Sequence, residues 1–382
     1  MSGKRVLVGM SGGIDSSVAA ALLKTQGYDV VGVYLQLWPE KMLTEFKFSG
    51  GSCCTIASAD AAKAVCKELE IPFHTVDASD IFLSEVIDYV VHESLQGRRP
   101  NPCIMCNSHV KFDFLLKKAD ELRCEFVATG HYAKIIRNVD GGEINLYRST
   151  DVANDQSYFL FALKQEQLSR ILLPVGDLLK ANIRKMARTF QLPAVDRPEI
   201  RQICFVDDGG YADLVLKRSS ERYRHSGAIV TPEGHILGRH SGLYQFTVGQ
   251  QRGLNLQDVE YKDFVVLSFD LKLSAVIVGP PSDLKKKGLL AHDTNWLGMQ
   301  DFSRGLQAKA RLSAFGEEVG CIATLMNNNS VLVDLTEPQY AITPGQAIVF
   351  YQEDLVLGGG WIEALAEPIS TKLRSKGSIS SS

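Results

Sequence analysis

The sequence turns from a strand pattern to a helix pattern through Gly9-Met10-Ser11-Gly12-Gly13-Ile14-Asp15-Ser16-Ser17. An apolar run at residues 5–9 precedes this stretch, and residues 16–26 follow it with apolar side chains at helical spacing. Backbone amides at such a turn, aided by the positive end of the helix dipole, can hold a phosphate. The paired glycines allow close approach of the backbone to an anion. The stretch therefore predicts a phosphate-binding loop.

The acidic and hydroxyl side chains of this loop refine that prediction. Ser11, Ser16 and Ser17 offer hydroxyl donors, whereas Asp15 would repel a bare phosphate. A bound Mg²⁺ would complement both the carboxylate and the phosphate oxygens. The pattern GxxxxGK[ST] is absent from the chain, so this is not the lysine-containing loop of kinases and GTPases.

Short β-branched runs alternate with helical segments in the first third of the chain. The predicted strands are residues 5–9, 29–36, 73–76 and 125–129, and the predicted helices are 16–26, 57–69 and 81–95, the last capped by Asp80. This order predicts an α/β fold with a doubly wound parallel sheet. Ligands of such sheets bind at the carboxyl ends of strands, where residues 9–17, Leu35 and residues 129–132 should converge.

Beyond residue 207 the pattern changes to short strands separated by Gly and Pro. We predict a catalytic domain at residues 1–207, a small central β-rich domain at 208–284, a C-terminal β-barrel at 285–368 and a disordered tail at 369–382. The tail lacks the apolar residues that would offset the entropy of ordering it.

Composition places limits on the class of protein. The chain has 382 residues, 45% of them hydrophobic, a formal charge of −3 and no apolar stretch of membrane-spanning length or signal-peptide type. We therefore expect a cytoplasmic location without membrane association. Eight cysteines in such a chain argue against a structural disulfide framework. The net charge neither supports nor excludes an RNA partner.

Two further segments carry cysteines in a chemical context. Asn101-Pro102-Cys103-Ile104-Met105-Cys106-Asn107 precedes a helical run at 110–122 and follows Arg98 and Arg99. A cysteine at a helix N-terminus beside arginines has more thiolate, the form that attacks or binds sulfur. The second segment is Gln202-Ile203-Cys204-Phe205.

The glycine loop resembles the PP-loop of the ATP-pyrophosphatase superfamily, whose domain has the adenine nucleotide alpha hydrolase-like fold. That resemblance implies cleavage of ATP between the α and β phosphates and transfer of AMP to a substrate oxygen. It also implies a set of nucleotide-binding residues in this chain. They are Gly9, Met10, Ser11, Gly12, Gly13, Ile14, Asp15, Ser16, Leu35 and Gly130.

The whole chain resembles the tRNA-specific 2-thiouridylase family, which carries an NPxxxCN loop and an ICF segment within a PP-loop enzyme. Further matching segments are residues 129–133, 155–160, 238–243, 246–250 and 344–346. The resemblance implies that ATP adenylates the C2 oxygen of the wobble uridine of tRNA. Cys204 would carry a persulfide received from a sulfur-carrier protein or a cysteine desulfurase relay, and Cys106 would be the catalytic nucleophile. Sulfur would leave as hydrosulfide with formation of a Cys106–Cys204 disulfide, or the persulfide itself would attack.

One departure from the family opens an alternative. Cys103 stands where relatives commonly have an aspartate, which puts the acid–base role of that aspartate in doubt. It creates a CxxC pattern, and Cys103, Cys106 and Cys204 together resemble the ligands of a 4Fe–4S cluster in other sulfur-inserting enzymes. The CxxC could equally bind zinc or act in redox chemistry. Both the persulfide and the cluster route remain open at this stage.

The resemblance also implies a path for tRNA. Asn101, Pro102 and Cys103 would frame the flipped uridine, and the central domain would contact tRNA. The other implied contacts are His131, Asn154, Asp155, Gln156, Arg311, Leu312 and Gln346; in relatives an aromatic residue commonly stands at position 312. Two basic groups are further candidates, namely Lys180, Arg184, Lys185 and Arg188, and Lys217, Arg218, Arg222 and Arg224.

Two other functions compete with thiolation. Another PP-loop ligase would share the glycine loop but would not need the paired cysteines. A non-catalytic RNA-binding protein would hold ATP without releasing pyrophosphate. We expect thiolation of tRNA, carried out by a monomer.

Overall fold

A computed structural model describes residues 3–39, 56–137, 142, 144–193, 203–205, 210–219, 225–256, 258–327 and 329–365. Cys53, Cys54, Arg222, Arg224 and the predicted tail lie outside these ranges. The chain divides into two compact units. The first comprises Met1–Asp88, Pro102–Asp208 and Asp354–Val356, and the second comprises Tyr89–Asn101, Gly209–Glu353 and Leu357–Ser382.

The first unit is built on a five-stranded parallel sheet. Its strands are β1 (Arg5–Gly9), β2 (Asp29–Gln36), β3 (Phe73–Asp77), β4 (Phe126–Ala128) and β7 (Ile171–Leu172). They lie in the order β3-β2-β1-β4-β7, with every neighbouring pair parallel. The order reverses between β1 and β4, so a ligand crevice is expected beyond their carboxyl ends. The predicted doubly wound fold is confirmed.

Helices cover this sheet because its central strand is apolar on both faces. Val6, Leu7 and Val8 are fully buried, as expected of a strand covered on both sides. The covering helices include α1 (Ile14–Thr25), α2 (Ile56–Glu68) and α8 (Lys180–Thr189). α1 packs against α8. Gly27 ends the first helix in the left-handed conformation, with φ of 85°.

The helix predicted over residues 81–95 is interrupted. It consists of α3 (Ser79–Phe82), a π-helical segment (Leu83–Ile87) and α4 (Asp88–Leu95). Asp80 does not cap it; Ala78 precedes the first turn, and the Ser79 amide donates to Oδ1 of Asp77 at 2.9 Å. The cap prediction was wrong because Asp77, at the end of a strand, already supplies the acceptor.

A second π-helical segment follows the Asn101-Pro102 pair. α5 (Pro102–Met105) is followed directly by the π-helical segment Cys106–Phe112 and then by α6 (Asp113–Glu121). The remaining elements of this unit are β5 (Ala133–Arg137), β6 (Ile144–Arg148) and α7 (Gln165–Ser169). β5 and β6 form an antiparallel hairpin.

The second unit contains a small sheet and a closed barrel. The small sheet has β8 (Gly227–Val230), β9 (Ile236–His240), β10 (Val265–Asp270) and β11 (Ala275–Gly279). They follow the order β10-β11-β8-β9 around buried Ile229, Val266 and Val276. This unit also contains α9 (Gly210–Arg218).

Six strands close the barrel. They are β12 (Lys285–Trp296), β13 (Leu306–Arg311), β14 (Glu318–Asn327), β15 (Ser330–Tyr340), β16 (Ala347–Gln352) and β17 (Leu355–Leu365). β12 pairs with both β15 and β17, which completes the ring. The predicted barrel is confirmed. Within the described ranges, none of the helices is long and apolar enough to cross a membrane.

Candidate active site

The glycine loop follows β1 and opens α1 at the switch point of the sheet. Gly12 has a φ of 73°, and Gly13 is the N-cap residue of α1 without a side-chain cap. The Met10 amide donates to the Val33 carbonyl at 2.8 Å, which fixes the start of the loop to β2. Leu35 lies two residues further along the same strand and is half-buried.

The loop serines mainly stabilise the loop itself. The Ser16 hydroxyl donates to the Gly13 carbonyl at 3.1 Å and accepts from the Ser11 amide at 3.2 Å. Ser17 is fully buried and its hydroxyl donates to the same Gly13 carbonyl at 2.8 Å. Ser17 therefore holds the backbone of the loop. Ser11 is exposed.

The segment after β4 contacts the glycine loop closely. A Cβ at Gly130 would lie 2.6 Å from the carbonyl carbon of Asp15 and 2.6 Å from the Ser16 amide nitrogen. Only glycine fits this approach without displacement of one backbone or the other. The Tyr132 hydroxyl donates to Oδ1 of Asp15 at 2.7 Å. The predicted convergence of residues 9–17 and 129–132 is thus observed.

Lys180 reaches the same carboxylate from the start of α8. Its Nζ lies 2.8 Å from both Oδ1 and Oδ2 of Asp15 and 5.4 Å from the centre of the Tyr132 ring. The Lys180 amide donates to Oδ2 of Asp151 at 2.7 Å, which anchors the helix start. The sequence placed Lys180 with a basic helix face, and its partner Asp15 was not foreseen.

Cys106 begins the second π-helical segment. Its side chain is buried, whereas Cys103, one turn earlier in α5, is half-buried. Single-turn π segments are frequent at functional sites because they redirect side chains within a helix. The predicted nucleophile therefore lies at a local change of helical geometry that periodicity could not reveal.

Phe205 anchors the segment that carries Cys204. Its ring meets Phe82 edge-on at 5.6 Å, and Phe82 in turn meets Trp38 at 5.4 Å. Phe82 belongs to α3, which packs against the π-helical segment begun by Cys106. Cys204 is half-buried. Phe205, the residue after Cys204, thus contacts a helix that packs against the segment begun by Cys106.

The loop at residues 154–160 contacts both Tyr132, which follows β4, and Asn107, which follows Cys106. The Gln156 side chain accepts from the Tyr132 amide at 2.9 Å, and the Gln156 amide donates to the Tyr132 carbonyl at 2.8 Å. Asn107 donates from Nδ2 to the Phe159 carbonyl at 3.3 Å. Asn107 is 3% exposed, and its Oδ1 accepts no hydrogen bond from the part of the chain that the structure describes. A continuous set of contacts therefore joins Asp15 to the residue after Cys106.

Asp155 organises its own loop. Its Oδ1 accepts from the Ser149 and Ser157 amides, and its Oδ2 accepts from the Ser157 hydroxyl at 2.9 Å. Asn154 is half-buried and its amide donates to the Asp151 carbonyl at 3.0 Å. These bonds indicate that Asp155 shapes the loop on which Asn154 and Gln156 are presented.

His131 is a neutral imidazole in this setting. Its Nδ1 lies 2.8 Å from the Thr129 hydroxyl, and its ring packs against Phe112 at 5.7 Å. Desolvation, followed by the positive charge of Lys111, holds the pKa of His131 well below its usual value. A tRNA contact by this residue would therefore be a hydrogen bond or a packing contact rather than an ion pair.

Cys66, Cys124 and Cys321 have surroundings that disfavour the reactive thiolate. Burial raises the pKa of Cys66 to about 12 and that of Cys321 to about 12, and it also raises the pKa of Cys124. Among the described parts of the chain, no group of three or more His, Cys, Asp or Glu side chains is placed to hold a metal ion.

The expected tRNA contacts of the second unit are engaged within that unit. Gln346 donates from Nε2 to the Arg99 carbonyl at 2.6 Å, and the Arg99 amide donates to the Pro344 carbonyl at 3.0 Å. The turn at 344–346 thus holds the segment that leads to half-buried Asn101.

Arg311 lies on a barrel strand with its side chain 12% exposed. Its guanidinium is 3.6 Å from Oε1 of Glu318 and 5.5 Å from the centre of the Tyr351 ring. Leu312 next to it is half-buried. A phosphate contact by Arg311 would have to compete with Glu318, which the sequence did not indicate.

The comparisons with known proteins agree with this architecture. Family models described as the tRNA methyl transferase HUP domain, the tRNA methyl transferase PRC-barrel domain and the aminomethyltransferase beta-barrel domain match residues 4–208, 215–280 and 286–362. The tRNA-specific 2-thiouridylase MnmA of Carboxydothermus hydrogenoformans is 41% identical over 94% of this chain and 98% of its own length. The protein of that name from Clostridioides difficile is 39% identical over 94% and 98%.

Solved structures give a more distant likeness. The U34-tRNA thiolase NcsA from Methanococcus maripaludis, solved with its 4Fe–4S cluster, is 17% identical and has a TM-score of 0.34. The alignment covers 57% of this chain and 66% of that one. No conclusion about chemistry rests on this likeness.

The sheet order and the glycine loop define an adenine-nucleotide-binding α/β protein of the PP-loop class, fused to a small β domain and a closed barrel. Within that class, the full-length match to curated relatives decides the family. The chain belongs to the tRNA-specific 2-thiouridylase family.

Proposed function

We propose that this protein replaces the C2 oxygen of the wobble uridine of tRNA with sulfur at the expense of ATP. The observation that carries the proposal is the contact of Phe205, next to Cys204, with a helix that packs against the segment begun by Cys106, in a unit whose sheet presents the glycine loop. Family membership supports the tRNA substrate and the use of ATP.

The first step is activation of the base. The uridine C2 oxygen attacks the α phosphorus of ATP, the bond to the β phosphate breaks, and pyrophosphate leaves with the electron pair. AMP on O2 is a good leaving group, whereas the original oxygen is not. Asp15, together with phosphate oxygens, would hold Mg²⁺, which neutralises phosphate charge when bound. Its carboxylate is 29% exposed, but both oxygens accept from Lys180, so Mg²⁺ binding requires Lys180 to withdraw.

The second step transfers sulfur. Cys204 receives a sulfur atom as a persulfide from a sulfur-carrier protein or a desulfurase relay. The Cys106 thiolate attacks the Sγ of Cys204, hydrosulfide leaves and a Cys106–Cys204 disulfide forms. Hydrosulfide attacks C2, AMP departs, and an external dithiol reduces the disulfide with two electrons. In the alternative route the terminal persulfide sulfur attacks C2 and AMP departs. The Cys106 thiolate then attacks the Sγ of Cys204, which breaks the S–S bond, releases the 2-thiouridine and forms the same disulfide for the external dithiol to reduce.

The cluster route receives no support from the arrangement of the side chains. Its three ligands, Cys103, Cys106 and Cys204, are not gathered within the described residues. We therefore derive no step through an iron–sulfur cluster. A general PP-loop ligase is likewise disfavoured, because the relatives that match 94% of the chain are thiouridylases.

The proposal is tested with unmodified tRNA, ATP and a persulfide donor, with 2-thiouridine measured by mass spectrometry. Cys106→Ser and Cys204→Ser should each abolish thiolation while ATP binding is retained. Cys124→Ala is the matched control because its thiol is buried away from the proposed chemistry. Normal thiolation by either serine variant would refute the assignment.

The same assay distinguishes the sulfur routes. Added sulfide should restore thiolation to both serine variants if hydrosulfide is the attacking species, and should not if the persulfide attacks. Iron analysis after anaerobic purification, combined with Cys103→Ala, tests the cluster. About four irons per chain and loss of activity in that variant would replace the persulfide route by a cluster route.

A further inference from the structure

Lys180 is placed differently from the other cations of its helix. It is the first residue of α8, its side chain is 13% exposed, and its Nζ is 2.8 Å from Oδ2 of Asp15. Arg184, Lys185 and Arg188 of the same helix are exposed. The helix therefore presents two kinds of positive charge, one against the glycine loop and one to solvent.

The position of Lys180 is fixed from several directions. Asp151, which is 9% exposed, accepts the Lys180 amide proton at 2.7 Å, and the Tyr132 ring lies beneath the ammonium at 5.4 Å. Tyr132 also donates to Asp15. A long side chain held in this way has already lost much of its rotamer entropy. It is preorganised beside the loop rather than attracted there from solvent.

The pairing of Lys180 with Asp15 changes the net charge that the glycine loop presents to a phosphate. ATP would bring several negative charges to a turn that otherwise offers backbone amides, serine hydroxyls and a carboxylate. Asp15 would repel those phosphates unless its charge were compensated. In this structure Lys180 compensates it, with both carboxylate oxygens at 2.8 Å.

We propose that Lys180 is a phosphate-binding catalytic residue, and that Asp15 holds its ammonium in place before ATP binds. When ATP enters, the ammonium moves to an oxygen of the departing pyrophosphate and Asp15 becomes available to Mg²⁺. As the Pα–O bond breaks, Lys180 stabilises the charge that develops on the leaving group. This inference rests on the proposed adenylation and assigns to it a residue that the basic-face interpretation gave to tRNA.

The experiment compares Lys180→Met, Lys180→Arg and the matched control Lys185→Met. Three quantities are measured for each: affinity for Mg·ATP by calorimetry without tRNA, pyrophosphate release with saturating tRNA, and tRNA affinity as a function of salt. We expect Lys180→Met to lower kcat/KM for ATP by about 100-fold or more and to weaken Mg·ATP binding. Its tRNA affinity and salt slope should match those of the wild type. Lys180→Arg should retain part of the ATP response.

Lys185→Met should show the opposite pattern, with normal ATP parameters and a smaller salt dependence of tRNA binding. The inference is overturned if Lys180→Met leaves the ATP parameters unchanged, or if it reduces the tRNA salt slope as Lys185→Met does.

A loss of folding in Lys180→Met is separated by the double variant Asp15→Asn/Lys180→Met, which leaves no unpaired charge. Because Asp15 would itself hold Mg²⁺, ATP binding by this variant and by the wild type is measured in the absence of Mg²⁺. If the pair were only structural, the double variant would recover both thermal stability and Mg²⁺-free ATP binding, and the inference would fail. We expect recovery of stability without recovery of ATP binding. If the wild-type protein released no pyrophosphate with tRNA, the proposed adenylation would be refuted. The affinity for Mg·ATP measured by calorimetry without tRNA would still test whether Lys180 binds phosphate.

Discussion

The Tyr132 hydroxyl lies 2.7 Å from Oδ1 of Asp15, and this hydrogen bond joins the segment after β4 to the loop after β1. The two strands are neighbours at the point where the strand order of the sheet reverses. The bond therefore ties together the two sides of the crevice in which a nucleotide is expected to bind.

Gly130→Ala should damage this crevice. The added methyl group would lie 2.6 Å from backbone atoms of Asp15 and Ser16, so the two segments must separate. We expect Mg·ATP affinity to fall by about tenfold or more, which corresponds to roughly 1.4 kcal/mol, as measured by calorimetry. Gly238→Ala is the control, because its new methyl group would meet Ile229 at an ordinary 3.6 Å. Unchanged affinity in Gly130→Ala would contradict the close approach.

The parallel sheet and its crevice could be predicted because β1 and β2 have continuous apolar runs and the glycine loop separates strand from helix. The strands predicted at 5–9 and 29–36 match the observed bounds. The π-helical segments could not be predicted, since one extra residue in a helical turn leaves little trace in apolar periodicity. The sequence therefore predicted correctly that a helix lies near residues 81–95, but not that a π-helical segment interrupts it.

The candidate site likewise contains one contact that the sequence could predict and others that it could not. The approach of Gly130 to the loop follows from strand order and could be anticipated. The pairing of Lys180 with Asp15 joins residues that lie far apart in sequence, so spacing carried no information about it. The engagement of Arg311 by Glu318 depends on the register of β13 against β14, which apolar alternation does not fix for a pair of charged residues.

His131 should not titrate in the physiological range. Burial and the charge of Lys111 lower its pKa, so protonation favours unfolding. Its contribution to stability is complete above the ordinary pKa and declines as pH falls below it. The ring resonance, assigned with His131→Asn, should stay constant between about pH 6 and 8.

Lys111→Gln should raise the pKa of His131, and Lys111→Arg should leave it unchanged because the positive charge remains. A titration midpoint near the ordinary histidine value in the wild-type protein would show that the ring is hydrated and not desolvated.

Phe205→Leu should slow sulfur transfer while the protein remains folded. Loss of the edge-on contact with Phe82 costs about 1 kcal/mol. We expect formation of the Cys106–Cys204 disulfide from persulfidated protein to slow by about tenfold, followed by mass spectrometry under single-turnover conditions. Phe302→Leu removes a comparable contact with Trp296 in the barrel and serves as the control. Equal rates in both variants would argue against a positioning role for Phe205.

Cys66 and Cys321 should resist alkylation in the folded protein. With a pKa of about 12 for each thiol, the thiolate fraction at about pH 8 is on the order of 10⁻⁴. Iodoacetamide should leave both unmodified for as long as the protein stays folded, and should modify both in guanidinium chloride. Rapid modification of either residue under native conditions would show that local opening exposes it.

The strand order of the first unit also bears on the synthesis of the protein. Asp15 lies in the first loop, Gly130 follows the fourth strand, and Lys180 follows the fifth strand of the sheet. A nascent chain that has only just left the ribosome with its glycine loop lacks the facing segment and the lysine. If Lys180 has the role proposed above, consumption of ATP awaits translation through residue 180, and a shorter polypeptide carries the nucleotide motif without the lysine needed to use it.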